Sequence, residues 1–213
     1  MKINMTEEML DALRADVSAS MSEKRFRHTA EVEKMVARLS ELYLPDDVMA
    51  LRAAALLHDI TKEASFAEQL RLCAVYGVAV DESELHAPKT FHAKTAAALI
   101  PERYGAFADR EIIDCVRYHT TGRRGMTLAE KLVYLADYID LSRTFEDCVR
   151  LREYFWGKEP ASMEMPARLA HLRDTLILSY DMTVRALLEE GGVISKDTIE
   201  ARNELIAQKK NKA

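Results

Sequence analysis

Six side chains of metal-ligand type are spread along the chain, at places where an apolar helical pattern predicts burial. Imidazole nitrogen and carboxylate oxygen are good ligands for first-row divalent metals. Burying such groups singly is costly, whereas burying them together around a cation satisfies them all. Five of the six continue a stripe of apolar residues, and the remaining one, an aspartate, directly follows a histidine of the set. The six are His28, His58, Asp59, His92, His119 and Asp137.

The best-defined of these groups is the adjacent pair His58 and Asp59, which ends an apolar helical run. Leu51, Ala54 and Ala55 lie on the helix face that continues to the histidine, at spacings of seven, four and three residues, and this face should point into the protein. Asp59 projects about 100° away from His58 around the helix. This offset would let the histidine bind one ion while the aspartate reaches that ion and a second one. A His-Asp pair alone is more often a hydrogen-bonded core pair than a metal site.

The other four groups extend apolar stripes of their own predicted helices. His28 precedes Val32 by four residues, and Asp137 lies between Val133 and Leu141 on one stripe. A single inward histidine is most often a core residue with its own hydrogen bonds, but four histidines and two carboxylates are hard to bury independently. Four such ligands would suit one metal ion, and six would suit two ions that share a carboxylate.

The segment 120–125 has the composition of a phosphate-contact loop. Its sequence TTGRRG combines hydroxyls, glycines and two arginines, which suit phosphate oxygens, although an ordinary turn between helices can have the same composition. Three other polar residues are predicted to lie outside any site: Asp140 on a wetter helix face, His86 in a solvent-facing loop, and His171 as a structural or exposed residue.

The composition limits the class of protein. A formal charge of -5 over 213 residues argues against a general nucleic-acid binder, although local cations or a metal would still hold an anionic nucleotide. The three cysteines have no close spacing, which favours reduced thiols and a cytoplasmic location. No secretory signal is apparent at the N-terminus, and no apolar run approaches the ~18 residues of a membrane span.

The pattern predicts an all-α fold. Glycine and proline are scarce, no strand alternation is apparent, and Thr127 with Glu130 has the spacing of a capping box at a helix start. A long helix is expected from about Met165 to Glu190. Residues 159–162 have the composition of a linker. We therefore expect a helical domain over 1–158 and a helical extension over 159–213 that packs on the same domain.

The chain resembles a known family. The order of His28, His58-Asp59 and Asp137 is similar to that of the HD-domain superfamily of metal-dependent phosphohydrolases, which are helical bundles. Four longer segments resemble the YqeK family of bacterial symmetrical diadenosine tetraphosphate hydrolases, from about Arg25 to Asn203. The chain departs from the usual family pattern at two places, with Ala93-Lys94 instead of Gly-Pro and Asp140-Leu141 instead of Glu-Pro. The four segments are LLHDITKE, RYHTTGR, LAEKLVYLADYID and DTIEARN.

The resemblance implies a reaction and a cofactor. The expected reaction is symmetrical hydrolysis of diadenosine tetraphosphate to two ADP, with water activated between two ions attacking an inner phosphorus. The family uses iron, although a His/Asp ligand set also accepts manganese, cobalt, nickel or zinc. The resemblance is compatible with a homodimer. It implies two ligand sets that share Asp59: His28, His58, Asp59 and Asp137 for the first metal, and Asp59, His92 and His119 for the second.

The resemblance also implies roles for nearby polar residues. Asp59 would act in catalysis as the bridging ligand, Lys62 would assist by neutralising phosphate charge, and Glu63 would orient metal-bound water or Lys62. Solvation of the helix end is the simpler role for Glu63. The remaining candidates would contact the substrate, and each cation among them is also typical of a solvated surface. These candidates are Arg27, His92, Thr120, Thr121, Arg123 and Arg143.

Three other functions are compatible with the same residues. One is a different HD phosphohydrolase, such as a nucleotidase or a cyclic-dinucleotide phosphodiesterase. Another is a nucleotide-binding module without turnover, although such a module has no need of six ligands around two ions. The last is a structural helical protein, which metal analysis would distinguish.

Overall fold

A computed structural model describes residues 5–211. Within that range the chain forms ten α-helices, connected by turns and short 3-10 segments, and no β-strand. The predicted all-α class is therefore confirmed. The helices are α1 (Glu7–Ser20), α2 (Glu23–Tyr43), α3 (Val48–Leu57), α4 (Phe66–Val75), α5 (Phe91–Arg103), α6 (Arg110–Tyr118), α7 (Leu128–Ile139), α8 (Glu146–Trp156), α9 (Met165–Glu189) and α10 (Lys196–Lys210).

Helix ends follow the local sequence. The Glu130 amide donates to Thr127 Oγ1 at 3.2 Å, and the Glu130 carboxylate accepts from the Thr127 amide at 3.4 Å, so the predicted capping box is present. The long helix α9 ends one residue before its predicted boundary, and Gly191 follows with a φ of 65°, a conformation that glycine adopts without strain.

Five helices surround the centre of the molecule. α2 packs against α3 and α7, and α6 packs against α3, α5 and α7. Their inner faces form a continuous hydrophobic core that includes Leu39, Leu56 and Val133, all fully buried. The apolar stripes identified in the sequence are therefore the faces that bring the ligand-bearing helices together.

The C-terminal helices share this core. Tyr180 of α9 lies in the same hydrophobic cluster as Leu56, and its ring centroid is 4.8 Å from that of Tyr134 on α7. Tyr134 in turn stacks on Tyr138, with centroids 5.1 Å apart. The predicted linker forms a 3-10 turn, Pro160–Ser162. Helix α9 thus packs directly behind the helix that carries Asp137, while the division of the chain after residue 158 stays a prediction.

None of the helices in the described range is long and apolar enough to cross a membrane. The three cysteines are free and buried, so each is a core thiol: Cys73, Cys115 and Cys148.

Candidate metal centre

The six predicted ligands meet at one place, although they come from separate helices. His58 and Asp59 follow the end of α3, and His119 follows the end of α6. All six side chains are buried. The other three come from the first half of α2, the start of α5 and the last turn of α7; they are His28, His92 and Asp137.

Asp59 lies between two pairs of imidazoles. Its Oδ2 is 3.5 Å from His58 Nε2 and 3.9 Å from His28 Nε2. Its Oδ1 is 3.3 Å from His92 Nε2 and 3.7 Å from His119 Nε2. One carboxylate therefore presents a different oxygen to each side of the cluster.

Asp137 completes the side formed by His28 and His58. Its Oδ1 lies 3.0 Å from His28 Nε2 and 3.8 Å from His58 Nε2. The ligand atoms of these three residues all lie within 4.8 Å of one another, and the same is true of His58, Asp59 and His119. Ligand atoms around a metal held at about 2.0–2.2 Å are separated by roughly 3–4 Å, which matches this spacing.

Two of the histidines are held in the tautomer that a metal needs. His58 Nδ1 donates to the Ala55 carbonyl at 2.6 Å, and His119 Nδ1 donates to the Val116 carbonyl at 2.7 Å. Because a carbonyl oxygen only accepts, Nδ1 carries the hydrogen in both rings and Nε2 presents its lone pair to the cluster. The accepting carbonyls belong to the last turn of a helix, where carbonyl groups lack helical partners.

The cluster contains buried polar atoms that a cation would satisfy. His28 Nε2, His58 Nε2 and Asp59 Oδ1 have no hydrogen-bond partner within the described part of the chain. Leaving such atoms unpaired in the interior is unfavourable. The nitrogen and oxygen donors suit first-row divalent metals, so the residues fit a metal centre.

At Asp59, His92 and His119 the electrostatic environment favours the protonation states of metal ligands. Burial raises the pKa of Asp59, but the imidazoles of His58 and His119 outweigh it and hold that pKa well below its usual range. Burial lowers the pKa of His92 well below its usual range and also lowers the pKa of His119. Ionised carboxylates and neutral imidazoles are the forms that bind metal.

His28 is held by a second layer of polar groups. Its Nδ1 lies 3.1 Å from Ser142 Oγ and 3.4 Å from Asp140 Oδ2. Burial lowers its pKa, but the carboxylates of Asp137 and Asp140 beside the ring outweigh this and raise the pKa to about 9, so a metal bound by this ring would have to displace its proton. A carboxylate behind a ligating histidine orients the ring and makes it a stronger ligand.

The predicted position of Asp140 is wrong. Its side chain is fully buried and accepts from the Ser142 amide at 2.8 Å, instead of lying on a wetter helix face. The physical reason is that α7 ends at Ile139, so Asp140 is outside the helix and turns back towards His28.

Two arginines contact the ligand carboxylates. Arg25 Nη1 donates to Asp59 Oδ2 at 2.8 Å, and Arg143 Nη2 donates to Asp137 Oδ1 at 2.5 Å. Sequence reasoning missed Arg25, although it lies three residues before His28 and so faces the same side of α2. The two guanidinium groups offset the negative charge of the buried carboxylates.

Lys62 and Thr120 lie on the other side of the cluster. Lys62 Nζ is 3.1 Å from His92 Nε2, and burial lowers the Lys62 pKa. Thr120 Oγ1 is 3.1 Å from Nε2 of both His92 and His119. These two predicted site residues are therefore brought to the cluster.

Other predicted site residues make structural contacts. Glu63 accepts from the amide and hydroxyl of Ser22, the N-cap of α2, at 2.8 and 2.5 Å. Arg123 forms a two-point ion pair with Glu130, at 2.8 and 2.7 Å. The Thr121 hydroxyl donates to the Gly122 carbonyl. The predicted roles of Glu63, Arg123 and Thr121 in catalysis or substrate binding stay predictions.

Arg27 and the other two histidines lie outside the ligand cluster. The Arg27 guanidinium is exposed and pairs with Glu23 at 3.1 Å. His86 is exposed, as expected. His171 is buried, with its Nε2 2.9 Å from the Phe155 carbonyl oxygen, which is a structural role.

Comparison with known proteins agrees with this geometry. The family model described as "HD domain" matches residues 25–142, a range that contains all six predicted ligands. The chain therefore belongs to the HD-domain family, and its fold is that of an HD-domain hydrolase.

The names of individual relatives are more specific than the description of the family. The chain is similar to the symmetrical bis(5'-nucleosyl)-tetraphosphatase of Bacillus subtilis, at 31% identity over 91% of this chain and 95% of the relative. It is also similar to the enzyme of the same name from Staphylococcus aureus, at 31% identity over 65% of this chain and 70% of the relative. A crystal structure from Clostridium acetobutylicum, described as a predicted HD superfamily hydrolase involved in NAD metabolism, superposes with a TM-score of 0.80. Its identity is 28%, covering 93% of this chain and 97% of that one.

Proposed function

We propose that this protein is a dinuclear metal hydrolase that cleaves diadenosine tetraphosphate symmetrically into two ADP. The observation that carries the proposal is Asp59, whose two oxygens face two different pairs of imidazoles. The names of the similar proteins support the choice of substrate and of symmetrical cleavage.

The proposed ligands form two sets that share one carboxylate. When bound, the two ions would polarise the attacked phosphoryl group and supply a nucleophilic water between them. We expect iron, with manganese, cobalt, nickel or zinc as metals that the same donors accept. The sets are His28, His58, Asp59 and Asp137 for one ion, and Asp59, His92 and His119 for the other.

The chain's own polar groups would position the tetraphosphate. The Lys62 ammonium and the Thr120 hydroxyl, both beside His92, would hold non-bridging oxygens at one side of the attacked phosphorus. Arg143 and Arg27, which border an open pocket next to His28, would neutralise the phosphates that leave with ADP. Charge-assisted contacts of this kind are strongest where water is partly excluded.

The proposed setting is the cytoplasm, because the three cysteines are free thiols and disulfides are rare there. A small dinucleotide is the expected partner, not a nucleic acid, given the formal charge of -5. Assembly as a homodimer stays a prediction, which light scattering would test.

Product analysis tests the proposed reaction. Metal-free protein is reloaded anaerobically with iron(II), or with manganese or cobalt, and incubated with diadenosine tetraphosphate before anion-exchange chromatography. We expect two ADP for each substrate consumed, and a loss of at least about a hundredfold in rate for Asp59→Ala, since even groups behind the ligands are worth 10–100-fold. Asp46→Ala, which removes an exposed aspartate, is the matched control.

Two results would contradict the proposal. Equal amounts of ATP and AMP would mean that cleavage is asymmetrical. Equal rates for Asp59→Ala and the parent would refute the bridging role of Asp59.

A second candidate is a hydrolase of another pyrophosphate-linked dinucleotide. The description of the C. acetobutylicum structure, which mentions NAD metabolism, favours this class. Including NAD in the same assay separates the candidates, because cleavage of NAD with a higher kcat/KM than diadenosine tetraphosphate would favour the second one.

A further inference from the structure

A cationic pocket opens directly beside the metal centre. It has a volume of about 420 Å³ and is bordered by His28, by four cations and by one phenylalanine. The cations come from the start of α2 and from the loop between α7 and α8. They are Lys24, Arg25, Arg27 and Arg143, and the phenylalanine is Phe145.

The cations become more exposed with distance from the ligand cluster. Arg25 and Arg143 are partly buried and are engaged with Asp59 and Asp137. Arg27 is mostly exposed, and its ion pair with the exposed Glu23 is of a kind that contributes little to stability. The outer cations can therefore turn to a ligand at small cost, whereas the inner ones are fixed beside the catalytic groups.

Phe145 is unusual for a phenylalanine. Its side chain is 69% exposed, more than that of any other large apolar residue in the described range. It lies two residues after Arg143, at the N-terminal end of α8. An exposed aromatic ring beside cations is the combination that nucleotide-binding proteins use, because every base offers a flat face for stacking.

We propose that this pocket binds one nucleoside diphosphate half of the substrate, with the base stacked on Phe145. The phosphates of that half would run past Arg27 and Lys24 towards Arg143 and the metal centre. This inference rests on the proposed function, since it assigns a subsite for the same substrate. Stacking uses the face of the base, so the subsite accepts adenine and guanine alike.

The subsite is tested by binding, separately from turnover. Titration calorimetry on metal-loaded protein would compare ADP with inorganic pyrophosphate, which has phosphates but no base. Phe145→Leu keeps an apolar side chain and removes the aromatic face, and we expect it to weaken ADP binding about tenfold or more while pyrophosphate binding stays within twofold of the parent. Phe145→Tyr should bind ADP like the parent. Lys24→Ala should weaken the binding of both ADP and pyrophosphate.

A control lies on the same loop. Leu141 is 62% exposed but does not border the pocket, so Leu141→Ala should leave ADP binding unchanged. With diadenosine tetraphosphate as substrate, Phe145→Leu should raise KM at least as strongly as it lowers kcat.

Three results would contradict the proposed subsite. One is that the parent shows no ADP binding, and another is that Phe145→Leu binds ADP as the parent does. A third is that Phe145→Leu weakens the binding of ADP and pyrophosphate equally, which would indicate a distorted loop. If the parent binds ADP as described but does not split diadenosine tetraphosphate, the proposed function fails and the subsite stands.

Discussion

His58 and His119 each donate a hydrogen bond from Nδ1 to a backbone carbonyl. Only Nε2 of each ring is therefore available at the centre of the cluster. His28 is oriented differently, by a side-chain carboxylate and a hydroxyl. The three rings are therefore fixed before any metal arrives, and binding requires little rearrangement of them. Preorganisation of this kind is what separates a ligand set from a group of buried histidines.

At the residue scale, Asp140 provides the sharpest test of that orientation. Asp140→Asn keeps the size of the side chain but removes the charge that faces His28 Nδ1. We expect the affinity of the first metal to fall about 10–100-fold, as for other groups behind metal ligands, with the second metal retained. Competition with a chelating dye would measure both affinities.

The control for Asp140→Asn is Asp147→Asn, an exposed position in the first turn of α8. Loss of both metals, or unchanged affinity for both, would contradict the role of Asp140 behind His28.

At the scale of elements, helix ends place most of the ligands. α3 and α6 each end at the residue before a histidine that is predicted to bind metal, so the negative ends of both helix dipoles point towards the site, which favours a cation. Helical periodicity predicted the burial of five of the six side chains, since their apolar stripes face the core. Leu141, counted on the stripe of Asp137, is instead 62% exposed, because α7 ends at Ile139. Periodicity did not predict Asp140, because a single residue at the boundary of α7 decides which way that side chain points.

The turn between α6 and α7 shows a second limit of sequence reasoning. The arginines of TTGRRG suit phosphate chemically, but Arg123 is paired with Glu130 and Asp114. Glu130 is 1% exposed and also caps α7. Composition predicts that an arginine suits an anion, and only the packing of two helices determines which anion it meets.

Arg123→Met separates a structural role from a phosphate-binding role. The substitution leaves the buried Glu130 carboxylate without its two-point partner, so we expect the free energy of unfolding to fall by about 3 kcal/mol. Urea denaturation would measure the loss, with Arg124→Met, at an exposed neighbour, as the control. A variant of parental stability whose KM for diadenosine tetraphosphate is raised would instead support the phosphate-binding role.

At the scale of the whole molecule, the C-terminal helices pack behind the candidate metal centre. Gly122 has a φ of 64°, and a Cβ atom there would lie 1.9 Å from Tyr180 Oη. Tyr180 packs on Tyr134, which lies one turn before Asp137 on α7. The loop after His119, helix α9 and helix α7 are thus packed together, an arrangement that links distant parts of the chain and that no local pattern predicts.

Metal binding should stabilise the whole molecule. Both proposed ligand sets join separate helices, so the ions would bind the folded chain and not the unfolded one. At a metal concentration of about 100 times Kd the gain is about 2.7 kcal/mol for each ion, and one such gain corresponds to a rise in Tm of roughly 5–10 °C for a chain of this size.

Scanning calorimetry with and without a chelator would measure that rise. The helical circular dichroism should remain without metal, because the hydrophobic core does not depend on the ions. A Tm that does not respond to metal would contradict binding at this site.

The most direct measurement is a crystal structure of the metal-loaded protein with anomalous data collected on both sides of the absorption edge of the metal. We expect two anomalous peaks about 3.5–4 Å apart, with Asp59 between them, one beside His28 and His58 and the other beside His92 and His119. A single peak, or two peaks that do not share Asp59, would contradict a dinuclear centre bridged by this aspartate.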